Sequence, residues 1–371
     1  MIYFDNAATS FPKPRCVTDE LIRCVKRYCG NPGRSSHSLS LRAAEEIYLA
    51  REEIASLLGV DTPENIVFTL NATYALNLAI KSFVTKDCHV LTSDFEHNSV
   101  IRPLERLKET LGISYSAFNS EGDIKANLDM LRQDNTTGII CSIASNVTGD
   151  ELKLMELSEY ATEKGLFLII DASQAIGHRE IDLSKTPCDA LCAPGHKALY
   201  GIQGCGFAYF KDTRRKCGIV EGGSGSDSAS PFMPSLLPEG YEAGTPPTPS
   251  IVTLKKGVEF VKDIGIPAIH EKLLLLTNEA KERLENIASV KIYKSGVGIL
   301  SFNIGDIPSS KVSLGLDSYG ICVRGGLHCA PSIHKKLGTM SQGAVRLSFS
   351  YFNTIKEIDA FYKAIKAMSE K

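Results

Sequence analysis

The sequence predicts an α/β protein, with a large domain built on a mostly parallel mixed sheet flanked by helices and a smaller α+β C-terminal domain. Three observations predict it. Short β-rich runs alternate with helical ones between residues 66 and 171, the pattern of βαβ units. At 371 residues the chain exceeds the length that one hydrophobic core usually serves. A stretch rich in Gly, Ser and Pro over residues 221–249 reads as a long loop, separating the alternating region from a second set of strands and helices. The expected division is a large domain over residues 15–249 and a small one over 250–371, with residues 1–14 packing near the functional site.

Taken in order, Leu41, Ala44, Ile47, Ile54 and Leu57 follow helical spacing, and Gly59 supplies the stop. Strand-like runs then cover 66–70, 89–92, 138–144 and 167–171, and helical ones 74–83, 99–111 and 152–164. After the long loop a helix is expected over 250–262. The C-terminal domain reads as strands at 290–293, 298–304 and 345–350, with helices near 271–287 and 355–368. Gly201-Ile-Gln-Gly204-Cys-Gly206 resembles a nucleotide loop, but no helix clearly follows it, so it reads as a turn into a strand over 207–210.

Composition narrows the function classes. A net charge of −2 leaves no basic footprint for nucleic acid or an anionic membrane surface. The N-terminus has no signal-peptide pattern and no run is apolar enough to span a bilayer, so a soluble cytoplasmic protein is expected. Eleven cysteines without a CxxC pair suit a reducing compartment and point to no thiolate metal site. Cys29, Cys141, Cys192 and Cys205 are expected to be small buried hydrophobes.

In open α/β sheets ligands sit beyond the carboxyl ends of the strands. There the sequence places Asn71-Ala72-Thr73, Glu96-His97, Ser145-Asn146, Asp171 to Gln174, and His196-Lys197. Alone, Lys197 in its Gly-bounded turn reads as a solvated surface residue, and the rest of the chain reverses that reading. Together these groups supply an amine, a carboxylate, a flat imidazole and hydroxyl or amide donors. Pyridoxal phosphate needs such a set, its phosphate lying at the N-terminus of the helix that begins near Ala72.

These residues belong to motifs that run nearly end to end: Phe4-Asp-Asn-Ala-Ala-Thr9, Phe95-Glu-His97-Asn, Ala144-Ser-Asn146-Val-Thr-Gly149, Asp171-Ala-Ser-Gln174, Gly195-His-Lys197, Glu242-Ala-Gly-Thr245-Pro, Val323-Arg324-Gly-Gly-Leu-His-Cys329 and the stretch from Arg346 to Thr354. On them the chain resembles the cysteine desulfurases, within the class V aminotransferase group of fold-type-I pyridoxal-phosphate enzymes, and is closer to the short-loop branch. The resemblance implies that Lys197 forms the Schiff base with the cofactor and later moves the Cα proton. It implies that His97 stacks on the ring, Asp171 holds the pyridine nitrogen protonated and Gln174 contacts the ring oxygen. Ala72, Thr73 and His196 would bind phosphate, joined by Thr245 of a second subunit, which implies a homodimer. Arg346 would hold the substrate carboxylate, with Asn146 close by and Arg324 near the substrate side chain. Cys329 would take the sulfur of L-cysteine as a persulfide, leaving alanine, for transfer to an acceptor protein; His328, Arg324 or the cofactor's charge would favour its thiolate.

Pro194 departs from the pattern, because many relatives carry a serine there that reaches the phosphate. Rival readings are another pyridoxal-phosphate reaction on the same fold (selenocysteine lysis, cysteine-sulfinate desulfination or transamination) and a non-catalytic sulfur carrier or scaffold.

Overall fold

A computed structural model describes residues 1–33, 35–212, 219–226 and 229–370. Seven strands form the central sheet in the spatial order Ile66–Thr69, Gly206–Phe210, Ala190–Pro194, Phe167–Asp171, Thr136–Ser142, His89–Ser93 and Ser114–Phe118. Only Gly206–Phe210 runs against its neighbours; the other six share one direction. Successive side chains of a strand turn to opposite faces. Ile66, Phe68, Leu91, Ile139, Leu168 and Ile170 accordingly join one core, and Val67, Val90, Ile140 and Ile169 the other. Helices Ser38–Leu58 and Leu154–Lys164 cover the first face, and Ala72–Phe83 and Asn98–Leu111 the second.

The C-terminal unit is a four-stranded antiparallel sheet, in the order Arg324–Gly326, Ala344–Ser348, Ile299–Ile304 and Val290–Gly296, with its own core. The chain's start is sewn to this unit. Ile2–Tyr3 pairs in parallel with Ile321–Cys322, and Phe4 packs edge-on against Phe349 and Phe361. The helix expected over 250–262 spans Thr248–Ile264 and serves both cores: Ile251, Leu254 and Val258 belong to the first, Val261 to the second. A division at residue 250 therefore cuts a helix that the two cores share.

Several elements carried no clear sequence pattern, among them the strand Ser114–Phe118 and the helices Arg15–Arg27, Ile124–Leu131, Ser309–Ser318 and Pro331–Leu337. Ser114–Phe118 is an edge strand that buries only Phe118 fully, so its polar composition is no obstacle to pairing. The expected loop ends two residues early, at the start of Thr248–Ile264, and the described residues of 221–247 hold no helix or strand; Asp227 and Ser228 of its Gly-Ser run lie outside them.

Gly257 lies inside Thr248–Ile264, where glycine costs the helix about 1 kcal/mol relative to alanine. A Cβ there would overlap the carbonyl oxygen of Leu199 and crowd the nitrogen of Gly201. The bare backbone lets this helix seat the loop that follows Lys197. Gly257→Ala is expected to lower the unfolding free energy by about 1–3 kcal/mol despite its better helix propensity. Denaturant titration checks this, and a variant as stable as the wild type would mean that the helix and loop do not meet here.

Candidate active site

A cavity of about 230 Å³ opens at the carboxyl ends of the parallel strands. Ser142 and Asp171 end adjacent strands as register partners, which puts both at its floor. Asp171 is buried; its Oδ1 accepts from the Ser173 amide at 2.9 Å and its Oδ2 from Ser142 Oγ at 3.4 Å. Lys197 follows the strand Ala190–Pro194 and lines the same cavity. Burial pushes its pKa down to about 8, with Arg346 and Arg324 adding to the shift and Asp171 opposing it.

His97 caps the helix Asn98–Leu111, its Nδ1 accepting from the Ser99 amide at 3.1 Å. Ser99 Oγ lies 2.9 Å from that nitrogen and 2.8 Å from Thr73 Oγ1, so one hydroxyl fixes both the ring and the threonine. Desolvation lowers the His97 pKa to about 4. Asn71 caps the helix Ala72–Phe83 and leaves its first N–H groups open to the cavity. His196 also lines the cavity, and its buried Nδ1 has no hydrogen-bond partner among the described residues. Gln174 donates from Nε2 to the Ala7 carbonyl at 3.0 Å. Pro194 also lines the cavity and brings no hydroxyl to it.

Beside this pocket stands a pair of arginines. Arg324 and Arg346 are direct partners on neighbouring antiparallel strands, where like charges repel unless an anion intervenes. Arg346 is buried; its Nη2 donates to Asp5 Oδ1 at 2.7 Å and its Nη1 to the Asn146 carbonyl at 2.9 Å, while Nε has no partner. The guanidinium of Arg324 has no hydrogen bond or ion pair among the described residues. Asn146 Nδ2 donates to the carbonyl of His328 at 2.8 Å, which ties the loop carrying Cys329 to the site. Cys329 itself is exposed.

The cavity thus gathers Ala72, Thr73, His97, Asn146, Asp171, Gln174, His196 and Lys197. Arg346 and the Cys329 loop adjoin it through Asn146, and Arg324 stands beside Arg346, none of them lining it. Thr245 is exposed and lines a separate apolar groove with Leu70 and Tyr74. Two expectations are corrected. Cys29 is exposed, because it follows the helix Arg15–Arg27 instead of continuing its buried face. His328 supplies no positive charge to Cys329: burial and nearby Arg346 push its pKa down to about 2.

Sequence reasoning also missed two acids. Asp5 lies inside the motif Phe4 to Thr9, but only the fold brings it to Arg346. Glu96 directly precedes His97 and is wholly buried. Its carboxylate accepts from Ser93 Oγ, from the Ser142 amide at 2.9 Å and from Ser142 Oγ at 2.9 Å, and burial raises its pKa to about 7.

The class-V aminotransferase family matches residues 2–361. The chain belongs to that family. Within it, the chain is 30% identical to a cysteine desulfurase of Wigglesworthia glossinidia brevipalpis, over 98% of this chain and 92% of that one. It is 28% identical to a cysteine desulfurase of Serratia proteamaculans, over 100% and 94%. The solved apo cysteine desulfurase of Thermococcus onnurineus superposes with a TM-score of 0.92 at 28% identity, covering 100% of this chain and 94% of the other. The family is generally pyridoxal-phosphate-dependent.

Two predictions follow from the geometry. Reductive methylation of Lys197 in the cofactor-free protein should titrate with a midpoint near pH 8, and Asp171→Asn should move it lower, since that carboxylate raises the lysine's pKa. A midpoint near that of an ordinary lysine, about 10.4, would contradict the burial. The folded value lies below the unfolded one, so the unfolded chain binds more protons between about pH 8 and 10.5 and this group's contribution to stability rises across that window. Asp5→Asn strips the buried Arg346 of its countercharge and should cost about 3 kcal/mol or more in chemical denaturation; an unchanged midpoint would show the pair to be immaterial.

Proposed function

We propose that this protein is a cysteine desulfurase that uses pyridoxal phosphate, converts L-cysteine to L-alanine and holds the sulfur as a persulfide on Cys329. The observation that carries the reading is the desolvated Lys197 amine set between Asp171 and an arginine pair, with an exposed cysteine tied to the same site through Asn146. The residues fit the cofactor. The buried, unpartnered Nδ1 of His196 and the open N-terminus of Ala72–Phe83 suit a phosphate, with Thr73 beside them. Asp171 suits a protonated pyridine nitrogen, His97 a ring face, and Gln174 the ring oxygen. When bound, pyridoxal phosphate supplies an electron sink for the pair left as the Cα–H bond breaks.

The chain's own groups do the rest. Arg346, with Nε free, takes the substrate α-carboxylate, and its companion Arg324 faces the side chain. Lys197, with a pKa near 8, takes and returns the proton at Cα. The Cys329 thiolate attacks the substrate sulfur: an S–S bond forms, the Cβ–S bond breaks, and the electron pair left on carbon is protonated to give alanine. L-cysteine plus one thiol thus yields alanine plus one persulfide, with no outside oxidant. An exposed persulfide can be passed to an acceptor protein. A second copy of the chain, docking on the apolar groove beside exposed Leu70 and Tyr74, would bring its Thr245 to the phosphate.

The unpartnered Arg324 favours an anionic group on the substrate side chain. Cysteine sulfinate is therefore the second reading, read out as sulfite release. The deciding experiment measures alanine formed from L-cysteine under reducing conditions. Cys329→Ala is expected to lower the rate by about two orders of magnitude or more while retaining the cofactor's visible absorption. No alanine from a cofactor-loaded wild type would overturn the desulfurase reading.

A further inference from the structure

Cys329 occupies the third position of a tight turn over residues 327–330, closed by the Ala330 amide donating to the Leu327 carbonyl at 2.9 Å. The two central residues, His328 and Cys329, have φ values of 52° and 57°. Two successive positive φ angles mark a type I′ turn, which Asn-Gly adopts readily and which strains residues bearing larger side chains. Such a conformation persists only where its surroundings over-determine it.

Those surroundings are on view. The backbone is gripped at both strained residues: Asn146 Nδ2 donates to the His328 carbonyl at 2.8 Å and the Asn98 amide to the Cys329 carbonyl at 2.7 Å. The His328 ring is buried, with Nε2 3.2 Å from the Arg324 carbonyl and Nδ1 3.3 Å from Nε2 of His334. His334 is wholly buried on the next helix, Pro331–Leu337, and its Nδ1 lies 2.7 Å from Thr339 Oγ1. The two rings lie nearly parallel, 5.4 Å apart.

The proton positions in this chain follow from one fact: a carbonyl only accepts. His328 Nε2 must carry hydrogen, so in the neutral ring Nδ1 is bare and accepts from His334 Nε2–H. His334 Nδ1 is then bare in turn and accepts the Thr339 hydroxyl. Every donor points the same way, toward the carbonyl of Arg324. A proton added to either ring would set two N–H groups against each other or turn the Thr339 hydroxyl away to the His334 carbonyl, its other acceptor at 3.4 Å. Burial pushes both histidines down, to about 2 and about 4, so the pair stays neutral over the working range.

We infer that His334, acting through His328, is a positioning residue that locks the Cys329 thiol into its strained turn. The functional side of this inference rests on reading Cys329 as the sulfur acceptor; the structural side does not. The test uses the cofactor-loaded protein with His334→Ala, His334→Gln and the near-isosteric Thr339→Val. Without substrate, hydrogen exchange of the turn amides over residues 327–330, above all the Ala330 amide that closes the turn, should quicken about tenfold or more in His334→Ala, while the strand Ala344–Ser348 keeps its protection. In turnover, kcat for alanine formation should fall about tenfold with KM for L-cysteine unchanged, the mark of a misplaced nucleophile rather than lost binding. His334→Gln, whose side-chain amide can donate to His328 Nδ1, should restore much of both.

The inference is overturned if the turn amides of His334→Ala exchange at the wild-type rate, if the strand loosens equally, or if His334→Gln is no better than His334→Ala. Should His334→Ala not fold, Thr339→Val decides: faster exchange confined to the turn supports the chain, and wild-type exchange overturns it. A wild type that makes no alanine removes the desulfurase reading but leaves the exchange measurement to decide the role of His334.

Discussion

A guanidinium taken out of water must be met by anions and carbonyls, and Arg346 meets them on separate parts of the chain. Its own strand belongs to the C-terminal sheet, its carboxylate partner Asp5 to the N-terminal segment, and its carbonyl partner Asn146 to the loop after a central strand. Asn146 in turn grips the carbonyl of His328. One buried cation therefore sets the relation between the cofactor-lining wall and the loop that carries the thiol. Leaving such a charge half-paired is expensive, so the three segments are held to one arrangement. The Nε of Arg346 is left without a partner among the described residues.

The same economy of charge runs through the site. Its cations, Lys197, Arg324 and Arg346, face Asp5 and Asp171, with Glu96 held behind Ser142. Ser142 has one hydroxyl hydrogen and two carboxylates within reach, at 2.9 Å and 3.4 Å. With Glu96 ionised, the hydrogen goes to Glu96; with Glu96 protonated, it is free to turn toward Asp171. The histidines, by contrast, are all driven toward neutrality by burial: His97, His196 and His328 each fall well below an ordinary imidazole. They serve as rings and as directed hydrogen-bond donors and acceptors, and the positive charge is left to lysine and arginine.

The βαβ alternation was legible because strands such as Ile139-Ile-Cys and Leu168-Ile-Ile are buried on both faces and read as continuous apolar runs. The strand-end residues of the cavity were legible for a related reason, since each follows directly on such a run. The edge strand Ser114–Phe118 was not, because half-exposed strands tolerate polar side chains. Asp5 and Arg346 are 341 residues apart, and no local pattern announces a pair that only the joining of the N-terminus to the C-terminal sheet creates. Glu96 beside His97 looks like a solvated acid in the sequence; its burial depends on Ser93 and Ser142, which different strands deliver. The turn at His328 and Cys329 was hidden for a plainer reason: the neighbouring glycines, Gly325 and Gly326, suggest where flexibility lies, whereas the positive φ angles fall on the two residues with side chains that follow.

In the reaction proposed above, a buried base and an exposed nucleophile are demanded by opposite responses to the same solvent. Removal of water disfavours the charged form of any group, so it turns the Lys197 ammonium toward the free amine. For a thiol the same removal disfavours the thiolate. Cys141, Cys188, Cys192 and Cys205, all in the apolar interior, are each pushed up for that reason. A sulfur nucleophile built into the wall beside Lys197 would be disabled by the desolvation that activates the amine. The chain separates the two, placing the amine at the end of a buried strand and the thiol on an exposed turn. Because exposure brings mobility, the turn needs fixing by hydrogen bonds that reach back into the interior, and the neutral histidine pair with Asn98 and Asn146 supplies them.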